Sequence, residues 1–224
     1  MKSTFNKLGF WAAILSAAFA VLWFVTFNMQ DLLASVPDWR NLDAYAESFR
    51  MVRLLLIYPS LLLALTYVVL LVCVHGYAAE DKKVWSLTAL SIGILYAAMA
   101  SVNYNIQASA VRQSLAAGEI AGIEMWIPDN PHSVFEALSN SYGYMAVSMF
   151  FAGFVFRGGG LQRWIRIVLF AQAITAIGQF GWTMFDLNTG VFIATSLVWV
   201  IGAPIAFILL AILFRREERV KPSY

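Results

Sequence analysis

The sequence predicts an all-α membrane protein. Residues 1–224 form one domain, a bundle of six transmembrane helices with both termini in the cytoplasm and an amphipathic helix lying in the membrane interface within the first outer loop. Composition is the first reason. The chain is 61% hydrophobic and 12% charged, against about 45–50% and about 25% in soluble domains. That surplus of apolar surface cannot be hidden in one soluble core, so lipid must solvate much of it. The other reasons are six long apolar runs and a strict alternation of Lys and Arg between the loops that join them.

The first run is Leu8–Met29. The opening MKSTFNKLGFWAAILSAAFA imitates a secretory leader, but the apolar stretch continues through VLWFVTF. Its length is nearer the ~20 residues of a spanning helix than the ~7–15 of a leader core, which predicts a retained helix. The loop that follows, SVPDWRNLDAYAESFRMV, reads as the interfacial helix. Ser35 and Asp38 suit its cap, and Trp39, Leu42, Tyr45, Phe49 and Val52 form one apolar face. The second run is Met51–Val74, with Pro59 predicting a kink, and the third is Val84–Gln107. A long outer loop carries Gly118, Gly122 and Pro128 as breakers and Met125, Trp126 and Ile127 as an anchor. The fourth run is Ser133–Phe156. The turn RGGG after it lacks the GKS or GKT ending and the preceding strand of a phosphate loop. The fifth run is Trp164–Phe185 and the sixth Val191–Phe214, where Gly202 and Pro204 predict a bend. Ala171, Thr175, Gly178 and Gly181 give the fifth run a small-residue seam for close packing within the bundle.

Charge sets the direction. Lys2, Lys7, Lys82, Lys83, Arg157, Arg163, Arg166, Arg215, Arg216, Arg219 and Lys221 fall on one side, and only Arg40, Arg50, Arg53 and Arg112 on the other. The positive-inside rule makes the first side cytoplasmic. A net charge of +2 gives no argument for nucleic acid, and the bilayer itself is the first partner.

Polar side chains are costly inside apolar runs and turn toward other helices or water. Asn103 and Gln107 share a face of the third run with Tyr96. Glu136 and Asn140 stand at i, i+4 in the fourth. Gln172, Gln179 and Asp186 recur at heptad spacing in the fifth. The topology puts Asn103, Gln107, Glu136, Asn140, Gln179 and Asp186 in the outer half, with Arg53 or Arg112 as counter-charge. These residues predict an outward-opening polar cavity between the third, fourth and fifth helices that binds or passes a small polar or amphipathic ligand, a lipid included. The competing reading makes the amides interhelical glue, at about 0.6 kcal/mol each.

NPHSVFEALSNSYGY, residues 130–144, allows two starts for the fourth helix. Ser133 can cap it, with Glu136 completing S-x-x-E. Alternatively Asn130 caps and Pro131 takes the first helical position, leaving Glu136 free to point into the bundle.

Other chemistries find little support. His75 and His132 fall at opposite membrane faces, too far apart to share a haem or a metal. Cys73 is the single cysteine, so there is neither an internal disulfide nor a CxxC pair. No cofactor, metal ligand or catalytic residue is assigned. Two further readings stay open: an accessory subunit that docks a membrane-protein partner through the outer loops, and an outer-leaflet lipid-modifying enzyme using Glu136 or Asp186 as acid or base.

Asn103-Tyr104-Asn105-Ile106-Gln107 with Val111-Arg112, then Asn130-Pro131-His132-Ser133, Phe135, Ala137-Leu138 and Gly143-Tyr144, resemble a group of uncharacterised bacterial integral membrane proteins. The resemblance covers about a third of the chain. It implies a bacterial inner-membrane setting and brings no functional residues with it.

Overall fold

The computed structural model describes residues 2–33, 39–128, 130 and 132–219. Among these every regular element is helical. The elements are α1 (Lys2–Leu33), α2 (Leu42–Ser48), α3 (Ile57–Tyr77), α4 (Lys83–Ile106), α5 (Arg112–Ala117), α6 (Val134–Ser139), α7 (Ser141–Gly153), α8 (Leu161–Phe185) and α9 (Thr189–Arg219). Short 3₁₀ turns precede α3, α4 and α6, and a π-helical segment, Gln107–Val111, joins α4 to α5. Five stretches are long and apolar enough to cross a membrane: Thr4–Gln30, Met51–Tyr77, Glu80–Ala117, Leu161–Phe185 and Thr189–Arg219. The protein is a multi-pass membrane protein.

The fourth apolar run is the exception. It divides at Asn140, whose carbonyl accepts the Gly143 N–H at 2.9 Å in a tight i→i+3 turn. Asn competes poorly for helix interiors because its amide bonds nearby backbone. Past Gly153 the chain tightens again, with Phe154, Val155 and Phe156 each donating to the carbonyl three residues earlier. The α7 helix is left with 13 residues, about 20 Å at 1.5 Å per residue.

Chain order dictates the packing. α1, α3, α4, α7, α8 and α9 each lie against the next, and α9 closes back on α1. Successive helices of the ring alternate in direction, joined by short loops at one end and long loops at the other, so both chain ends meet at one end of the ring. There Arg215 lies 5.4 Å over the Phe10 ring. A Cβ on Gly9 would come within 2.9 Å of the Phe214 ring, so the missing side chain is what lets that ring seat. The short loops at this end are tied by Asp81–Arg157 at 2.7 Å and by Gln162 Nε2 donating to Tyr77 Oη at 2.8 Å.

The small-residue seam of α8 faces α9. Thr175 Oγ1 donates to the Thr195 carbonyl at 3.0 Å, and a Cβ on Gly178 would overlap the Thr195 hydroxyl. The two prolines sit differently in their helices. α9 runs unbroken through Pro204. Pro59 sits in the first turn of α3, where a missing N–H leaves no helical bond unmade.

At the far end the two long loops fold onto each other. Tyr45 of α2, Val111, Ile123 and Ile127 bury one another, with Trp39, Leu42, Phe49 and Trp126 packed around them. The α2 helix lies in the loop where sequence placed one, but its apolar face is turned on protein. Its cap is Asn41, whose Oδ1 accepts the Ala44 N–H at 2.8 Å. The expected caps, Ser35 and Asp38, lie outside the described residues.

Candidate functional site

The outer-half residues picked from sequence divide into two groups. Asn103, Gln107, Glu136 and Asn140 gather where α4 meets α6 and the loop above it. Asn103 Nδ2 donates to the Phe135 carbonyl at 3.3 Å and to Ser139 Oγ at 3.5 Å, so it grips the residues just before Glu136 and Asn140. Gln107 Nε2 donates to the Trp126 carbonyl, which fastens the two packed outer loops, together the lid of the bundle, to the end of α4. Arg53 is 8% exposed and stands 5.3 Å over the Tyr45 ring, a cation–π contact beneath the lid. Arg112 folds back on its own helix, Nε donating to the Ala108 carbonyl at 2.9 Å.

The stripe on α8 joins none of this. α8 packs on α7 and α9. Gln172 Nε2 donates to the Val198 carbonyl of α9 at 3.4 Å. Gln179 lies against α7, where a Cβ on Gly143 would stand 3.2 Å from its own Cβ. Asp186 is exposed and adopts the left-handed conformation (φ 51°), while Leu187 N–H reaches back to the Gly181 carbonyl at 3.2 Å. Asp is among the residues that tolerate this conformation, and here it terminates a helix.

The start of the fourth helix takes the first of its two readings. Ser133 is the N-cap of α6, its Oγ accepting the Glu136 N–H at 3.2 Å. The Ser133 N–H donates to the Asn130 carbonyl at 3.0 Å. Asn130 builds the preceding turn, its Oδ1 accepting the His132 N–H at 3.1 Å and its Nδ2 donating to the Glu124 carbonyl at 3.1 Å.

Below this rim lies a group that polarity alone did not reveal. Tyr142 of α7 is ringed by Trp23 of α1 (5.6 Å between centroids), Trp199 of α9 (5.2 Å) and Tyr96 of α4 (5.8 Å), and the two tryptophans meet edge to face at 5.2 Å. Tyr104 and Tyr142 pair hydroxyl to hydroxyl at 3.0 Å. Trp23 Nε1 faces the Tyr104 hydroxyl, while around the tyrosine pair Trp199 Nε1 and Tyr96 Oη are buried with no hydrogen-bond partner, as are Asn103 Oδ1 and Asn140 Oδ1 at the rim. Each such atom costs about 1–3 kcal/mol unless water or a ligand meets it. The signal was present in sequence: tryptophans well inside a spanning run, away from the interfacial belts, need a partner for the indole N–H.

Among the described residues no three His, Cys, Asp or Glu side chains gather closely enough to hold a metal ion. His75 Nδ1 is 2.9 Å from Ser86 Oγ, and Cys73 is buried. Comparison with protein-family models, with curated proteins and with solved structures gives no match to this chain.

Proposed function

We propose that this is a six-pass bacterial inner-membrane protein, both termini cytoplasmic, which binds or passes a small amphipathic ligand in the outer half of its bundle. The observation that carries the reading is the set of unpartnered buried polar atoms on α4, α7 and α9. The Trp199 indole N–H, the Tyr96 phenol and two amide oxygens fit a ligand that offers both acceptor and donor groups. Trp23, Tyr96, Tyr142 and Trp199 are all neutral, so the group they receive is uncharged. A more polar part of the same ligand would sit at the rim with Asn103, Glu136, Asn140 and Arg53.

The sixth crossing is residues 134–156, α6 and α7 with the turns around them. Their 23 residues supply about 34 Å if wholly helical, enough for a core of about 30 Å. Orientation follows from the cations grouped at the terminal end. The exposed face of α2, with Asp43 and Glu47, suits the water side of the interface. The lid also bears on the accessory-subunit reading. Several of its apolar residues pack on one another, Ile127 being 0% and Tyr45 6% exposed, while Met125 stays open at 50%.

Thermal unfolding of the detergent-purified chain against a panel of uncharged amphipathic carbonyl, ester and alcohol compounds tests the proposal. A binder raises Tm by mass action. That increment should vanish in Trp199→Phe and shrink in Asn140→Ala. If every compound-dependent shift survives both substitutions, the site is wrongly placed.

A further inference from the structure

A groove of about 260 Å³ runs between α1 and α9 at the terminal end, lined by Phe10, Ile14, Ile208, Ala211, Ile212, Arg215, Arg216 and Arg219. On α9 the lining residues recur at i, i+3, i+4, i+7, i+8 and i+11, one continuous stripe of a helix. On α1 Phe10 and Ile14 are one turn apart, and Lys7 precedes them on the same stripe. The chemistry changes along the groove. Ile208, Ile212 and Ile14 lie on the side of the bilayer interior, and the arginines lie where the helix leaves it.

The arginines are not equivalent. Arg215 is engaged, its Nη1 2.7 Å from Glu218 Oε2 and its guanidinium over Phe10. Arg216 and Arg219 are exposed, and among the described residues neither makes an ion pair or hydrogen bond. Two uncommitted guanidinium groups one turn apart, at the mouth of an apolar groove, match an anion that carries hydrocarbon. The volume lies just below the range of about 300 Å³ upward for sites that enclose a small molecule. It therefore takes part of a ligand whose remainder stays in the bilayer.

We propose that this groove is a binding site for one anionic phospholipid of the leaflet at the terminal end. The phosphate group sits between Arg216 and Arg219, which donate to its oxygens. The first part of an acyl chain lies over Phe10, Ile14, Ile208 and Ile212. The site is separate from the outer-half aromatic group and independent of any ligand bound there.

Native mass spectrometry of the full chain released from nanodiscs tests it, with phosphatidylglycerol and phosphatidylcholine in equal amounts. Wild type should retain one phosphatidylglycerol in preference to phosphatidylcholine. Each arginine contributes about fivefold to attraction of an anionic headgroup, so Arg216→Gln with Arg219→Gln should lower retention about thirtyfold. Arg163→Gln, which removes an exposed cation at the same end of the bundle, should leave retention intact. Ile212→Trp, which fills the groove and keeps every charge, should also release the lipid, with unfolding in detergent checking that the fold survives. Retention by the double variant overturns the proposal, and so does equal loss in Arg163→Gln, which would make the effect general charge. Displacement of the lipid by soluble glycerol phosphate at similar concentration overturns the lipid assignment, because the apolar wall would then contribute nothing.

Discussion

Tyr67 and Tyr96 stand 5.8 Å apart, edge to face, on neighbouring helices. Both are fully buried, and their hydroxyls are treated in opposite ways. Tyr67 Oη bonds Ser148 Oγ at 2.9 Å, and Ser148 donates on to the Ala89 carbonyl at 2.6 Å. Tyr96 Oη has no partner. The contrast recurs along the bundle, although Gln172 Oε1, near the middle of α8, is also buried without a partner. From Tyr67 toward the termini, polar groups close on protein: His75 on Ser86, Tyr77 on Gln162, Asp81 on Arg157. From Tyr96 toward the lid, Trp199, Asn103 and Asn140 leave buried atoms open. A fold shaped only for stability would place Phe at such positions, because an apolar isostere avoids the desolvation penalty. The terminal half is built to hold together, and the far half gives up stability at positions a ligand or water can satisfy.

The largest expected effect lies in the terminal half. Phe214 is 1% exposed and meets Tyr77 edge to face. Phe214→Ala should cost about 3–5 kcal/mol, seen as a large fall in unfolding midpoint in detergent. The tyrosine pair gives the sharpest test. Tyr67→Phe breaks a satisfied bond and should cost about 1.5 kcal/mol, while Tyr96→Phe should be neutral or stabilising by up to about 1 kcal/mol. Equal losses in the two variants would mean that the halves do not differ. Ser133→Ala removes the α6 cap and should cost about 1 kcal/mol, with faster amide exchange confined to residues 134–139. Asn41→Ala, at the cap of the exposed seven-residue helix α2, should cost about 0.5 kcal/mol and loosen the lid while leaving the bundle midpoint nearly unchanged.

Legibility from sequence followed how local each feature is. The Ser133 cap was readable because S-x-x-E is a contact within one turn. Thr175 and Gly178 were readable as a seam because small residues at helical spacing have one use in lipid. The division at Asn140 went unread although Ser139-Asn140-Ser141 interrupts the apolar run from Ser133 to Phe156, because one helical face is traced straight across it. The α8 stripe misled for a related reason. Heptad spacing places Gln172, Gln179 and Asp186 on a common face, but not the neighbour that face meets, and the neighbours are α7 and α9. Trp23 and Trp199 are marked in sequence by lying away from the interfacial belts, but what their N–H groups face is set by packing beside Tyr142.

What the sequence determined alone is what composition and order along the chain control: a helical multi-pass protein, apolar runs read as six spans of which five are long and apolar enough as helices to cross, cations grouped at one end, and polar residues concentrated at the other. Lipid excludes unpaired backbone, so long apolar runs must be helices wherever they sit. What only the tertiary structure decided is which helices close the ring and which side chains meet on its axis. Trp23 and Trp199 are 176 positions apart in the chain and come into contact because α9 returns to α1. No pattern within either helix encodes that encounter, since side-chain direction is fixed by the packing of the neighbouring helices and not by spacing alone.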